Sequence, residues 1–190
     1  MILMIAMLVI GLFAGETKNT IVKIVTNHGT IEIELFDSKA PITVENFLSY
    51  VKEGYFDGTV FHRVIDNFMI QGGGFSTDGK KKPTKPPIQN EAENGISNKV
   101  GTIAMARTNY PHSATSQFFI NVKDNDFLDY STSKAGYCVF GEVISGMDVV
   151  NEIKMVPTTT KHGMPNWPQK NVKIKSVNIN DLSSDKMKTD

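Results

Sequence analysis

The sequence predicts a mainly β fold: a closed or nearly closed antiparallel barrel of about eight strands, capped by two α-helices. Three observations predict it. Short apolar runs of strand length recur along most of the chain. Only two stretches carry the helical period. Ile31, Ile33 and Leu35 alternate with Glu32 and Glu34, the pattern of a strand with one buried and one wet face. The bulk properties agree, with 190 residues, 40% hydrophobic and 21% charged. Such a chain makes one globular domain that buries roughly 70% of its unfolded surface without staples.

The chain opens on Met1 to Gly15 with no charge before Glu16. This run has the length of a secretory h-region and is shorter than the roughly 20 residues that span a bilayer. Ala14 and Gly15 are small residues at a cleavage-like end, although Leu12 is bulky and no Lys or Arg precedes the run. Residues 1–15 therefore read as an export signal, with an uncleaved membrane anchor as the alternative. A buried element fits less well, because no polar face appears. Residues 16–20 form a polar join, residues 21–180 the folded domain and residues 181–190 a polar tail.

Within the domain, Ile21 to Phe36 reads as two strands around Asn27-His28-Gly29. Val44, Phe47, Leu48 and Val51 form one helical stripe, with Pro41 near its start and Gly54 past its end. Further strands are expected at Val60 to Val64, Phe68 to Gln71, Val100 to Met105, Phe118 to Val122, Tyr137 to Val143 and Val172 to Ile179. The second helix is expected from about Gly146 to Lys154, with Ser145 and Asp148 at capping-box spacing. Lys80 to Pro87 and Thr158 to Pro168 read as surface loops.

Much chemistry is excluded. Cys138 is the only cysteine, so there is no intramolecular disulfide and no paired-thiol centre. In its strand-like run it reads as a small buried apolar residue. His28, His62, His112 and His162 share no ligand spacing, and neither metal nor cofactor is expected. Gly72-Gly73-Gly74 is followed by Phe75-Ser76-Thr77 rather than a helix start, so a bulged turn is expected instead of a phosphate cradle. Twenty cations balance twenty anions, which removes the long-range attraction to nucleic acid. Lys80, Lys81, Lys82 and Lys85 read as a solvated loop, a weak contact with an acidic partner being the alternative.

One constellation stands apart. Strand alternation puts Arg63 on one face with Phe61 and Ile65, a costly place for a charge without partners or a task. The strings F-H-R-V-I from Phe61, F-M-I-Q-G-G from Phe68, M-A-R from Met105, S-Q-F-F-I from Ser116, F-L-D from Phe127 and V-F-G from Val139 resemble the cyclophilins, in order and at family spacing from Ile21 to Ile179. The run from Lys81 to Ala92 is most similar to the bacterial members, including the exported periplasmic type.

That resemblance implies a cyclophilin-like barrel and a peptidyl-prolyl cis-trans isomerase acting on X-Pro bonds of unfolded or partly folded proteins. It implies Arg63 as donor to the twisted amide, Gln71 as the residue that positions the substrate carbonyl or orients Arg63, and Phe68, Met69, Phe119 and Leu128 as the proline pocket. Ala106, Arg107 and Gln117 would line the adjoining groove, with Phe127 and Tyr137 as further contacts and His62 either a pocket-side contact or a structural histidine. Phe127 and Tyr137 stand where eukaryotic members carry Trp and His; lacking the indole N–H, this chain is expected to bind cyclosporin more weakly. Arg107 replaces an Asn found in many relatives, and the segment from Arg107 to Ser116 is one residue longer. Two other readings are open to such a groove. A lipocalin-like barrel accounts for the apolar pocket but not for Arg63 beside Gln71, whereas a non-catalytic proline-peptide-binding chaperone would use the same surface.

Overall fold

The computed structural model describes residues 19–180. The expected leader at 1–15, most of the polar join and the tail at 181–190 lie outside the described residues. Among the described residues no helix is long and apolar enough to cross a membrane.

Burial alternates residue by residue along β1 (Ile21–Thr26) and β2 (Thr30–Leu35), which pair as a hairpin whose turn is closed by the Thr26 hydroxyl donating to the Gly29 carbonyl. Then follow α1 (Pro41–Lys52), β3 (Val60–Phe61), β4 (Arg63–Ile65), β5 (Met69–Gly72), β6 (Thr102–Met105), β7 (Phe118–Asn121) and β8 (Val139–Ser145). The chain continues through α2 (Met147–Lys154), β9 (Thr158–Lys161), β10 (Met164–Pro168) and β11 (Val172–Ile179). Nine strands form one sheet in the order β3-β11-β1-β2-β8-β6-β7-β5-β4, with antiparallel pairing throughout. The terminal strands β3 and β4 are separated in the chain only by His62, so the backbone itself joins the two ends of the sheet. Counted as one strand they reduce the nine to the expected eight.

The break at His62 corrects the expected single strand. Alternation resets there, so Phe61 and Val64 both enter the interior cluster, while Ile65 packs on the outer face where Arg63 also stands. The interior holds Val22, Ile24, Ile31, Ile33 and Leu35 with an aromatic group in which Phe47 lies 5.1 Å from Phe56, 5.7 Å from Phe118 and 5.3 Å from Phe140. Both helices contribute, α1 through Val44, Phe47 and Val51 and α2 through Val150 and Ile153, which is what caps a barrel. Each such aliphatic or aromatic side chain contributes about 1.5–3 kcal/mol on burial.

Helix termini are satisfied in ways the sequence did not announce. At α1 the N-cap Ala40 offers no side chain, and the Glu91 carboxylate instead accepts the N–H groups of Ile42 and Thr43 at 3.1 and 2.8 Å. At α2 the expected capping box does not form, because Ser145 still belongs to β8. Gly146 is the N-cap, at φ 86°, with its Cα against the Thr30 carbonyl where a Cβ would clash. Thr158 to Pro168 is not a loop but the hairpin β9–β10. Its turn carries positive φ at His162 and Gly163, as two-residue hairpins require, and it buries Trp167 completely.

Cys138 is 2% exposed in the interior, and burial pushes its thiol up to about 11. The folded protein is expected to resist a thiol-reactive dye at about pH 8 while the unfolded chain takes up one equivalent. Stoichiometric labelling of the native state would contradict the burial.

Candidate active site

Strand alternation makes the site. β5, β6, β7 and β8 turn Ile70, Ile103, Met105, Phe118, Ile120 and Phe140 inward, and the intervening Met69, Ala104, Phe119 and Val139 outward into a second apolar cluster completed by Leu128. Over that outer cluster opens a cavity of about 190 Å³, lined by Arg63, Phe68, Met69, Gln71, Ala106, Arg107, Phe119, Leu128 and Tyr137.

Register explains the polar wall. Arg63 pairs with Gln71 across β4 and β5, and Gln71 pairs with Phe119 across β5 and β7. The Arg63 guanidinium donates a long bond of 3.4 Å to the Gln71 side-chain oxygen Oε1, and the Gln71 side-chain amide donates to the Gln117 Oε1 at 2.9 Å. Gln117 in turn lies flat on the backbone of Gly74, where a Cβ would come within 2.5 Å of its side chain. The glycine triplet is thus a place of close approach rather than an anion cradle. Arg63 also lies 5.8 Å from the Phe68 ring centroid, and among the described residues it has no carboxylate within ion-pair distance. Most of its five donors are free to meet an occupant of the cavity.

Arg107 is held differently. Its Nε donates to the Gly136 carbonyl and an Nη to the Thr108 carbonyl, both at 2.9 Å, and its Cζ lies over the Tyr137 ring, 4.4 Å from the centroid. The loop bearing Leu128 is anchored by buried amides: Asn125 donates to the Phe68 carbonyl and to Asn121, each at 2.8 Å, and Asn121 donates to Asn98 and Thr102. These bonds tie the loop that bears Leu128 to Phe68, and both residues line the cavity. They were not visible in the sequence, where none of these asparagines stood out.

Of the expected contacts, Arg63, Phe68, Met69, Gln71, Ala106, Arg107, Phe119, Leu128 and Tyr137 line the cavity together. Gln117 lines an adjoining one, with Lys81 of the basic loop and with Thr84, Thr108, Ser113 and Thr115, which the sequence did not single out as contacts. Phe127 stands at the rim, 60% exposed and stacked at 5.7 Å on Phe68. His62 takes the structural one of its two readings. It does not line the cavity, because the strand break turns its ring away to pack against Phe75 at 4.6 Å and Trp167 at 5.9 Å. No three His, Cys, Asp or Glu side chains among the described residues gather as metal ligands would.

Comparisons with known proteins converge. A family model described as cyclophilin type peptidyl-prolyl cis-trans isomerase/CLD matches residues 21–179. A peptidyl-prolyl cis-trans isomerase of Acinetobacter baylyi is 58% identical over 173 residues, covering 91% of this chain and 92% of that protein. Peptidyl-prolyl cis-trans isomerase B of Escherichia coli is 57% identical, over 82% of this chain and 97% of its own. The crystal structure of a cyclophilin type isomerase from Cryptosporidium parvum in the presence of the dipeptide Ala-Pro superposes with a TM-score of 0.70 at 29% identity, covering 85% of this chain and 99% of that one.

The buried His62 yields a pH dependence. Burial is the main cause holding its pKa down to about 4, with the Arg63 charge adding to it and a backbone hydrogen bond at Val60 opposing. The unfolded chain takes up a proton near pH 6.5 that the folded chain refuses until about pH 4. Stability from this group is therefore complete above 6.5 and lost as pH falls toward 4, by about 3 kcal/mol in all. Denaturant unfolding of the native protein and of His62→Gln across that range should differ in slope, the variant losing less on acidification; parallel curves would contradict the assignment.

Proposed function

The chain belongs to the cyclophilin-type peptidyl-prolyl cis-trans isomerases, and on that premise we propose that it turns X-Pro bonds by gripping the proline ring in the cavity while Arg63 donates to the prolyl nitrogen. The observation that carries this is a guanidinium that, among the described residues, has no carboxylate partner and stands in one cavity wall with Phe68, Met69, Phe119 and Leu128. Rotation about the bond must break amide resonance, a barrier of about 18–20 kcal/mol, and no covalent step is needed. In the twisted amide the nitrogen regains its lone pair and becomes an acceptor, which it is not when planar. A fixed donor at that nitrogen therefore binds the transition state better than either end state. A guanidinium is a permanent donor with no acceptor of its own.

Phe68, Met69, Phe119 and Leu128 take the ring, whose burial contributes on the order of 1.5–3 kcal/mol. Gln71 orients Arg63 and meets the substrate backbone, with Ala106, Arg107 and Gln117 along the groove and Phe127 and Tyr137 at its edge. The Ala-Pro dipeptide of the Cryptosporidium structure supports a prolyl occupant here. The substrates are X-Pro segments of unfolded or partly folded proteins, whose uncatalysed isomerisation takes tens to hundreds of seconds. Cyclosporin binds weakly, since Phe127 has no indole N–H to donate. Residues 21–180 form the isomerase domain, and residues 1–15 direct export to the periplasm, supported by their uncharged apolar run ahead of Glu16.

Exchange NMR on a short X-Pro peptide tests the mechanism. The native protein should accelerate exchange at catalytic concentration, and Arg63→Ala should lose about a hundredfold or more with unfolding unchanged, because Arg63 makes only one long side-chain bond. Binding without acceleration would favour a non-catalytic chaperone. Intact mass of protein taken from the source cell tests export: a chain beginning after Gly15 is expected, and retention of Met1 to Gly15 would favour the membrane anchor.

A further inference from the structure

The cavity described above opens beside a second of about 190 Å³, which shares Gln71, Ala106 and Arg107 with it and adds Lys81. The charges around the pair are one-sided. Arg63 and Arg107 are the only arginines in the sequence, and both line the first cavity. Of the four lysines from Lys80 to Lys85, three serve the protein itself. Lys80 pairs with Asp78 at 2.9 Å, Lys85 pairs with Glu53 at 2.6 Å, and Lys82 donates to the Tyr55 carbonyl beneath its ring. Lys81 is the remaining one, exposed and on the wall of the second cavity.

No carboxylate lines either cavity, and among the described residues neither Lys81 nor Arg107 has one within ion-pair distance. The chain as a whole has no net charge, so this positive field belongs to the groove and not to the protein. The polar remainder of the wall adds little discrimination. The Thr108 hydroxyl already donates to Ser113 and the Ser113 hydroxyl to the Tyr110 carbonyl, which leaves the cations to choose the occupant.

We propose that the second cavity selects prolyl substrates bearing an acidic side chain close to the proline, held between Lys81 and Arg107. This rests on the first cavity being the prolyl site. A segment whose proline fills the first cavity and continues across Gln71, Ala106 and Arg107, the residues common to both, puts one of its flanking side chains in the second. A carboxylate there gains from both cations, whereas an amide of the same shape gains only hydrogen bonds and an ammonium is repelled. At a solvent-open site the advantage is modest and sensitive to salt.

A peptide series tests it. Glu, Gln or Lys is placed in turn at each of three positions on either side of a single X-Pro bond, and kcat/KM is measured by exchange NMR. At one position Glu should exceed Gln by about three- to fivefold and Lys should fall below it. The ratio should shrink between about 0.01 and 0.15 M salt, as the screening length falls from about 30 to 8 Å. Lys81→Gln should bring the Glu to Gln ratio near unity, and Lys81→Glu should reverse the order of Glu and Lys. Equal rates for Glu, Gln and Lys at every position, or an order unchanged in Lys81→Glu, would overturn the proposal while leaving the isomerase reading intact. Failure to accelerate any peptide would instead remove the prolyl reading on which it rests.

Discussion

The two ends of the nine-stranded sheet meet in the chain itself, since Phe61 ends one terminal strand and Arg63 begins the other with only His62 between them. Closing the barrel and placing Arg63 are therefore one event. Phe61 is tied down inside by Phe118, at 6.0 Å and edge-on, while the His62 N–H donates to the Gln71 carbonyl at 3.0 Å. Arg63 leaves this junction on the outer face opposite Gln71, held by two strands that cannot shift without opening the sheet. A donor that must meet a transient nitrogen gains from such rigidity, because little reorganisation is left for the moment of rotation.

The same closure explains why the His62 ring is buried behind the site and not in it. The residue that breaks the strand must turn its side chain somewhere, and the β9–β10 hairpin supplies Trp167 to cover it. A neutral, desolvated imidazole is the consequence, and one ring nitrogen, Nδ1, has no hydrogen-bond partner. The hairpin thus supports the active-site strand from the far side, a task that its threonine-rich sequence and exposed strand faces do not suggest.

Two levels of order hold the groove. Strand alternation makes the floor, so Met69 and Phe119 are neighbours of interior residues and share their fixed positions. The walls come from loops, and loops need polar anchors: Asn125 on the Phe68 carbonyl, Arg107 on the Gly136 carbonyl, and Gln117 against Gly74. None of these groups is a nucleophile or a base. They suit a reaction that makes and breaks no covalent bond and asks only for a shaped, oriented and positively charged surface.

Period and punctuation determined much in the sequence alone. Ile31, Ile33 and Leu35 against Glu32 and Glu34 sufficed for β2, the stripe Val44, Phe47, Leu48 and Val51 for α1, and the strings around Arg63 and Phe119 for the family and most of the cavity wall, because such signals are local and survive as linear patterns. Interactions between residues distant in sequence were not legible. Glu91 capping α1 from about fifty positions away, Trp167 covering His62, and Lys81 brought beside Arg107 all depend on which segments the closed sheet makes neighbours. Even the facing of Phe61 and Arg63 was decided there, since closure imposed a break that strand periodicity by itself would have run straight through.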